Sequence, residues 1–450
     1  MADQAVIPVS RLLDERGVGS FQITLLVWSL FLVLIDGYDI TAIAFAAPHL
    51  VKEWGISPRA LGPVFSASLV GILFGSGLFG WVGDRYGRKA ALIASNLLFG
   101  IFTLIAAYAT DLTQMFWLRL IAGIGIGGVI PNAVAINAES APRRLRAILA
   151  IIAVGFVPLG GAIPGFVTAT LVPAHGWQIL FLIGGIVPIV IAVAGIFGLP
   201  ESIKFMALHE RYRARMREVV RRISPSTQIA PDARFVIEDE QQVPGFNPKY
   251  LFGQGLHLIT PLLWLLFALN LMGYFFLISW TPTLMTAAKL PPTTVALSGA
   301  VLQIGGTVGA LLLCWWLQKH RFLAISIMFV LAVPIVASIG YAGLHSQGLL
   351  LIATFFAGFF VLGIQSGINV VGALIYPTSL RANGSGWELG IGRIGSIVGP
   401  LVGALFVGMS VEKLYVWSAL PFAVGAVVCF AIYRLNERRL AKHPELRQAQ

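Results

Sequence analysis

Twelve long apolar stretches restrict the folds that this chain can adopt. Apolar residues make up 57% of its 450 residues and charged residues 11%, whereas soluble domains carry about 25% charged residues. A helix needs about 20 apolar residues to cross a bilayer, and each stretch is long enough. The sequence therefore predicts an all-α integral membrane protein and excludes a soluble enzyme. The predicted spans are residues 21–46, 60–83, 89–109, 113–137, 147–171, 177–199, 258–281, 295–317, 321–341, 347–371, 384–407 and 411–433.

One long polar stretch divides these spans into two groups of six. We expect an N-terminal six-helix bundle over residues 1–199, a cytoplasmic connector over 200–257, and a C-terminal six-helix bundle with a cytoplasmic tail over 258–450. The connector opens with an arginine-rich segment, 211–222. That segment suits either an anionic lipid surface or the bundle itself.

The positive charges are distributed unevenly between the two sides of the spans. With the N-terminus placed in the cytoplasm, 25 of the 31 Lys and Arg residues lie on that side and four lie in the outer loops. Lys and Arg near span ends stay on the cytoplasmic side. We therefore predict a bacterial inner-membrane protein with both termini in the cytoplasm. The first apolar stretch is too long for the core of a cleavable signal peptide, so we expect it to be retained as the first span.

Several other function classes are disfavoured. Cys314 and Cys429 lie in apolar stretches and no Cys/His spacing suits a metal, so we expect neither a metal site nor a disulfide framework. The pI near 9.9 follows from membrane orientation, because no basic stripe interleaved with aromatic residues indicates nucleic acid. No G-x-x-x-x-G-K-[ST] loop for ATP is present. We expect no cofactor, an ion gradient as the energy source, and a monomer.

Two carboxylates lie inside the first predicted span. Charges within a membrane span are costly and usually functional. Asp36 and Asp39 are three residues apart, which places both on one helix face. Two nearby carboxylates in a medium of low dielectric resist ionisation, which suits proton coupling. The alternative is a structural ion pair with an arginine of a neighbouring helix.

Two arginines also lie inside predicted spans. Arg119 begins the fourth span, where it can hold Asp36 or Asp39, hold a substrate anion, or extend to the outer interface. Arg393 lies in the eleventh span between glycines, which suits an anion clamp. Glu388 is a further candidate for substrate binding in the same span. It is five residues before Arg393, so a direct pair is not expected, and the alternative is a position at the cytoplasmic end of the span.

Amide and aromatic side chains recur in spans that can face a cavity. A ligand pocket needs mostly apolar walls and a few placed polar groups. The alternative roles are hydrogen bonds between helices and aromatic belts at the membrane interface. The candidate substrate-binding residues of this kind are Asn270, Tyr274, Gln303, Gln365, Asn369 and Trp387.

A short basic loop joins the second and third spans. It runs Gly80-Trp81-Val82-Gly83-Asp84-Arg85-Tyr86-Gly87-Arg88-Lys89. This loop resembles, at every position, the signature G-x-x-x-D-R-x-G-R-[KR] of the major facilitator superfamily. The resemblance extends over nearly the whole chain and implies two six-helix bundles with the substrate between them. It also implies a cytoplasmic gate formed by Gly83, Asp84, Arg85, Gly87, Arg88, Glu139, Arg143 and Arg381.

A narrower resemblance involves the first and eleventh spans. Asp36-Gly37-Tyr38-Asp39 is similar to the D-G-x-D element of the aromatic acid/proton symporters, and the surroundings of Arg381 and Arg393 also fit that family. The resemblance implies proton-coupled uptake of acids such as 4-hydroxybenzoate or protocatechuate. In that reading Asp36 and Asp39 couple protons, while Arg119 and Arg393 serve coupling or bind the carboxylate. Glu388 departs from the family pattern.

Two other function classes stay open at this point. The first is a carrier of the same superfamily for another organic anion, a sugar or a drug. The second is a membrane sensor that binds a ligand without moving it, which the small size of the polar connector disfavours.

Overall fold

The computed structural model describes residues 6–223, 234–236, 248–253, 255–317, 321–376 and 380–442. Within these ranges, twelve helical segments are long and apolar enough to cross a membrane, which confirms the predicted all-α architecture of twelve spans. The first six spans and the segments around them comprise α1 (Val9–Arg16), α2 (Ser20–Trp54), α3 (Leu61–Tyr86), α4 (Arg88–Ala106), α5 (Leu112–Glu139), α6 (Arg146–Val154), α7 (Val157–Thr170), α8 (Val172–His175) and α9 (Gln178–Gly198).

The remaining elements form the connector and the second half. The connector carries α10 (Ile203–Leu208), α11 (Arg213–Ile223) and the strand β2 (Arg234–Val236), which pairs in parallel with the N-terminal strand β1 (Val6–Pro8). The second half comprises α12 (Ile259–Ala287), α13 (Pro292–Leu317), α14 (Arg321–His345), α15 (Gln347–Ile375), α16 (Arg381–Phe406), α17 (Val411–Ser418) and α18 (Leu420–Lys442). Short 3₁₀ turns lie at Pro58–Ala60, Arg143–Leu145, Glu210–Tyr212 and Pro248–Phe252.

Proline accounts for the two spans that are built from more than one helix. The fifth span breaks between α6 and α7, just before Pro158, and the twelfth breaks between α17 and α18, just before Pro421. Proline has no backbone N–H to continue a helix but fits its first turn. The breaks therefore lie where the ring can start a new helix.

Each half packs mainly within itself. In the first half, α2, α3, α4, α5, α7 and α9 contact one another, and in the second half α12 to α18 do so. The contacts between the halves join α7 to α13, α3 to α16 and α2 to α12. The helices of the two halves thus meet along a single interface, to which both α2 and α16 contribute.

The halves touch near one end of the bundle. We call the end that carries the connector and both chain tails the connector face, and the other end the opposite face. Arg59 Nε donates to the Val407 carbonyl at 2.8 Å and Ser66 Oγ donates to the Ile397 carbonyl at 2.8 Å. The rings of Phe65 and Trp280 lie 5.3 Å apart. These contacts close the interface toward the opposite face.

Toward the connector face the same two helices stand apart. A methyl group added at Gly77 or Gly80 of α3, or at Gly386 or Gly390 of α16, would meet no atom within 4 Å. At about 100° per residue, these glycines share the helix sides that carry Ser66 and Ile397. The two halves therefore enclose a cleft, lined by these glycines, that opens to the connector face.

Candidate functional site

The two carboxylates of α2 lie at the middle of that helix. Asp36 and Asp39 are fully buried, as expected for charges at the centre of a span. They differ in their partners, however. Asp39 is held by several side chains of the first half, whereas neither carboxylate oxygen of Asp36 has a hydrogen-bond partner in the described part of the chain.

Arg119 of α5 binds Asp39 through two parallel contacts. Nη2 lies 2.6 Å from Oδ2 and Nη1 lies 3.0 Å from Oδ1. Nε donates to Ser68 Oγ of α3 at 3.0 Å, and Thr103 Oγ1 of α4 donates to Asp39 Oδ1 at 2.9 Å. Both charged side chains are fully buried. In this conformation the Arg119 guanidinium therefore ties four helices together rather than facing the cleft.

Arg393 is the arginine that faces the other half. It lies in the middle of α16, is partly exposed, and shares its helix side with Gly386, Gly390 and Ile397. No carboxylate of the described residues lies within ion-pair distance of it. Its charge and that of Asp36 act on each other across the interface. Within the described ranges, the centre of the molecule thus holds an acidic side chain without a hydrogen-bond partner and a cationic one without an ion-pair partner, one on each half.

Polar side chains of the second half lie at a similar depth in the bundle to these central charges. Asn270 Nδ2 donates to Gln365 Oε1 at 2.8 Å, and Tyr274 Oη donates to Gln303 Oε1 at 3.3 Å. The Gln303 amide also lies against Gly161 of α7 in the first half. The structure therefore brings Gln303, with Tyr274 bonded to it, to the interface. Asn270 lies one turn of α12 before Tyr274 and is bonded to α15. Asn270 Nδ2 also donates to the Val361 carbonyl at 3.3 Å, and such bonds within the second half are expected for either a pocket or helix packing.

Three further candidates of the second half lie elsewhere. Asn369 is exposed, one turn of α15 beyond Gln365. Trp387 is 43% exposed and stacks on Trp264 of α12, with ring centroids 6.1 Å apart. Glu388 is 1% exposed and points away from the cleft. The structure does not bring Trp387 and Glu388 to the central charges.

The signature loop forms a network inside the first half. Arg88 Nη2 lies 2.6 Å from Asp84 Oδ1 and 2.8 Å from Glu139 Oε1. Glu139 Oε2 accepts from Ser202 Oγ at 2.5 Å. Arg88 thereby links α3, α5 and the start of the connector, which supports a shared role for these predicted gate residues on the connector face.

Gly87 lets a second carboxylate reach the start of α4. Its φ is +112°, a conformation that favours glycine, and a side chain there would collide with Glu201. Glu201 Oε1 accepts from the backbone N–H groups of Lys89 and Ser202 at 3.1 and 2.8 Å. An anion is favourable at a helix N-terminus. Glu201 is not among the gate residues predicted from the sequence.

The other predicted gate residues are more peripheral. Gly83 is buried against Asn132, and Arg85 is exposed beside Trp81 and Tyr86. Arg143 pairs with Asp14 of α1, with its backbone N–H donating at 2.7 Å. Arg381 begins α16, and its side chain lies outside the described residues.

A pH dependence of stability is expected from Glu201. Burial raises the pKa of its carboxyl above the ordinary value of 4.5, although the backbone N–H donors oppose this shift. The folded state therefore holds the proton more tightly than the unfolded state, so this group's contribution to stability falls as pH rises from 4.5 through the raised pKa. Glu201→Gln should remove that part of the dependence, because its amide oxygen still accepts both N–H bonds.

The measurement is the thermal unfolding midpoint in detergent from acidic to neutral pH. Glu15→Gln is a matched control, because Glu15 is exposed and pairs with Arg11 one turn away. Equal pH dependence in wild type and Glu201→Gln would show that Glu201 is not the group responsible.

Comparison with known proteins agrees with this architecture. Residues 29–387 and 263–449 match the family model described as Major Facilitator Superfamily. The chain is 35% identical over 421 residues to the 4-hydroxybenzoate transporter PcaK of Pseudomonas aeruginosa, covering 93% of this chain and 94% of the relative. It is 32% identical over 436 residues to a gallate transporter of Pseudomonas putida, covering 95% of each.

Solved structures share the fold at low sequence identity. One is a bacterial homolog of the human lysosomal transporter Spinster in an inward-facing, occupied conformation, with a TM-score of 0.73, 14% identity, and coverage of 94% of this chain and 99% of that one. Another is the xylose transporter XylE from E. coli in a partially occluded inward-open conformation, with a TM-score of 0.68, 15% identity, and coverage of 91% and 98%. The chain therefore belongs to the Major Facilitator Superfamily and, within it, to the aromatic acid transporter family, and it is a membrane transporter rather than an enzyme.

Proposed function

We propose that this chain takes up an aromatic carboxylate together with protons, by alternating access. The observation that carries the proposal is the arrangement at the centre of the interface. Among the residues that the structure describes, Asp36 on one half has no hydrogen-bond partner, and Arg393 on the other has no ion-pair partner. The second midplane arginine, Arg119, is already bound to Asp39. Arg393 is therefore the cation that remains for a substrate anion.

The charges explain why substrate and proton would move together. In the empty carrier, Asp36 and Arg393 attract each other across the cleft. A substrate carboxylate that binds Arg393 takes away this attraction and leaves Asp36 as an unpaired buried anion, which is costly. A proton on Asp36 removes that cost. The free energy needed to close the cleft is then lowest when both the carboxylate and the proton are bound.

The rest of the pocket suits a hydroxylated aromatic ring. Apolar walls are combined with the Tyr274–Gln303 pair at the interface and with the Asn270–Gln365 pair one turn of α12 away. Both pairs offer donors and acceptors to ring hydroxyls. The relatives named above carry 4-hydroxybenzoate and gallate by their names. We infer a substrate such as 4-hydroxybenzoate or protocatechuate.

The proposal also covers the setting of the carrier. The excess of Lys and Arg on the connector face supports a cytoplasmic location for the connector and both termini in a bacterial inner membrane. The proton gradient would drive uptake without a bound cofactor. We further propose that each monomer works as a complete carrier, since both central charges come from one chain.

The test is uptake of labelled 4-hydroxybenzoate into proteoliposomes with an inward proton gradient. Wild-type protein should accumulate substrate, and a protonophore should abolish accumulation. Asp36→Asn should lose accumulation but still exchange labelled for unlabelled substrate, since a neutral residue at this site imitates the protonated acid. Full gradient-driven accumulation by Asp36→Asn would overturn the coupling role. No uptake by folded wild type would direct the search to other anions, sugars and drugs.

Arg393 has its own expected effect. Arg393→Ala should weaken substrate binding about 10- to 100-fold, since hydrogen bonds to charged groups contribute about 1.5–3 kcal/mol. Arg393→Lys should recover part of the affinity, because it keeps the charge but not the planar fork. Equilibrium binding of labelled substrate to purified protein measures both. Unchanged affinity in Arg393→Ala would remove it as the carboxylate ligand.

A further inference from the structure

The arginine-rich segment of the connector lies against the first half of the bundle. Met216 and Val220 of α11 are buried, and this helix contacts α2. Six arginines lie between residues 211 and 222. Because the apolar side of α11 is covered by the bundle, these arginines are left on its other sides. Those that are exposed are Arg211, Arg215, Arg221 and Arg222.

Few acidic groups neutralise this segment. Glu210 pairs with Arg213 at 2.8 Å, and Glu218 pairs with Arg222 at 2.5 Å. Arg215 forms no ion pair with any residue that the structure describes. A guanidinium group carries several N–H donors in a planar fork that fits phosphate oxygens. Arg215 is therefore free to bind an anion from outside the protein.

A second cation lies beside Arg215. Lys89, in the first turn of α4, donates from Nζ to the Ile196 carbonyl of α9 at 2.7 Å. The charges of Lys89 and Arg215 act on each other, although the two residues belong to different helices. The Glu201 carboxylate is also near Lys89, but it accepts backbone N–H groups. Two neighbouring cations repel each other, so an anion between them is favourable.

These two cations lie where α9 reaches the membrane surface. Ile196 belongs to the last turn of α9, the adjacent Phe197 is 86% exposed, and Val193 is 46% exposed. Large apolar side chains exposed together on a spanning helix mark its contact with lipid. Lys89 and Arg215 are therefore at the depth of the lipid headgroups on the connector face.

An apolar groove begins next to the two cations. It lies between α2, α4 and α9, has a volume of about 170 Å³, and is lined by apolar residues that include Trp28, Ile93, Ile191 and Gly195. Ile93 is one turn after Lys89 on the same side of α4. The groove therefore continues from the cations into the membrane, and its walls suit an acyl chain.

We propose that Lys89 and Arg215 bind the phosphate group of an anionic phospholipid from the leaflet at the connector face, with one acyl chain in the groove beside Trp28. Basic residues next to a membrane attract anionic lipids, and the groove favours a lipid over free phosphate. The bound lipid would join α11 to α4 and α9, and so hold the connector against the first half. This inference does not depend on the transported substrate.

Native mass spectrometry of the purified full chain tests the site by counting bound lipids. Wild type should bind phosphatidylglycerol more tightly than phosphatidylcholine. Arg215→Gln should weaken phosphatidylglycerol binding about fivefold, the effect of one basic residue near an anionic membrane. Arg221→Gln is the matched control, because it removes another exposed arginine of α11, about 120° around the helix axis from Arg215. Equal losses in the two variants would show diffuse attraction to α11 and overturn the site.

Brominated acyl chains, which quench tryptophan fluorescence on contact, test the groove in lipid nanodiscs. The signal of Trp28 is the difference between wild type and Trp28→Phe. Brominated phosphatidylglycerol should quench this signal more strongly than brominated phosphatidylcholine, and Arg215→Gln should remove the preference. Equal quenching by the two lipids in wild type would overturn the proposal.

Two further measurements separate a lipid from a free anion. A Cβ atom at Gly195 would lie 3.8 Å from Leu199 Cβ and 3.9 Å from side-chain atoms of Ile93 and Trp28, which are ordinary contacts. Gly195→Val should therefore fold, narrow the groove and weaken phosphatidylglycerol binding. Inorganic phosphate should compete poorly with the lipid. Unchanged lipid binding by Gly195→Val, or phosphate competing as well as the lipid, would show that the groove holds no acyl chain.

Discussion

Arg119→Met is expected to destabilise the protein by about 3–5 kcal/mol, the range for removing one member of a buried ion pair. The substitution leaves Asp39 as a buried anion supported only by Thr103 among the side chains that bind it here. It also releases Ser68 of α3. Reversible unfolding in mixed micelles with increasing denaturing detergent measures the free energy of unfolding.

Two further variants make this prediction specific to charge. Arg119→Met combined with Asp39→Asn should recover most of the loss, since neither charge is then left alone. Ser68→Ala removes one hydrogen bond to the same guanidinium and should cost about 0.5–3 kcal/mol. If Arg119→Met were no less stable than Ser68→Ala, and the double variant gained nothing, Asp39 would not need its cation.

Gly165→Leu is expected to abolish transport while leaving substrate binding in place. A Cβ atom at Gly165 of α7 would lie 2.6 Å from the Ala296 carbonyl oxygen and 2.9 Å from Ala300 Cβ, both of α13. Backbone atoms cannot move aside as a flexible side chain can. The halves would therefore be unable to close at the opposite face, and the carrier would remain open there and closed at the connector face.

Uptake, exchange and equilibrium binding of labelled substrate separate these effects. A cysteine introduced at Gly390, with Cys314 and Cys429 replaced by serine, should lose reactivity toward thiol reagents when Gly165→Leu is added. Phe166→Leu is the matched control, since Phe166 is the adjacent residue and is 46% exposed. Normal turnover by Gly165→Leu would contradict the assigned role of the α7–α13 contact.

The number and order of the spans could be predicted from apolar run length, but their ends could not. The first span, α2, continues through Pro48 to Trp54, beyond the predicted end at residue 46. The fourth begins at Leu112, where Asp111 accepts from the N–H groups of Thr113 and Gln114. The observed start is one residue before the predicted one, and the helix ends at Glu139, two residues beyond the predicted end at 137. Polar capping turns are helical without being apolar.

The charged site residues could be identified because charges are rare in the spans, whereas their partners could not. The sequence left open whether Arg119 holds Asp36, Asp39 or a substrate, because that choice depends on how α2 and α5 are rotated against each other. Ser68 and Thr103 complete the site of Asp39 and Arg119. Single Ser and Thr residues are common in membrane helices, so nothing in the sequence distinguishes these two from the others. The separation of Glu388 from the cleft likewise depends on the rotation of α16.

The four glycines that face the empty cleft affect how substitutions in this chain should be interpreted. Gly77, Gly80, Gly386 and Gly390 touch nothing here, so a larger residue at any of them would leave the folded, connector-open form intact. A screen for thermal stability or expression would classify such variants as neutral. Such a residue would raise the free energy only of the conformation in which α3 and α16 meet and the connector face is closed. The effect would be detected as slow turnover in a protein whose equilibrium stability is unchanged.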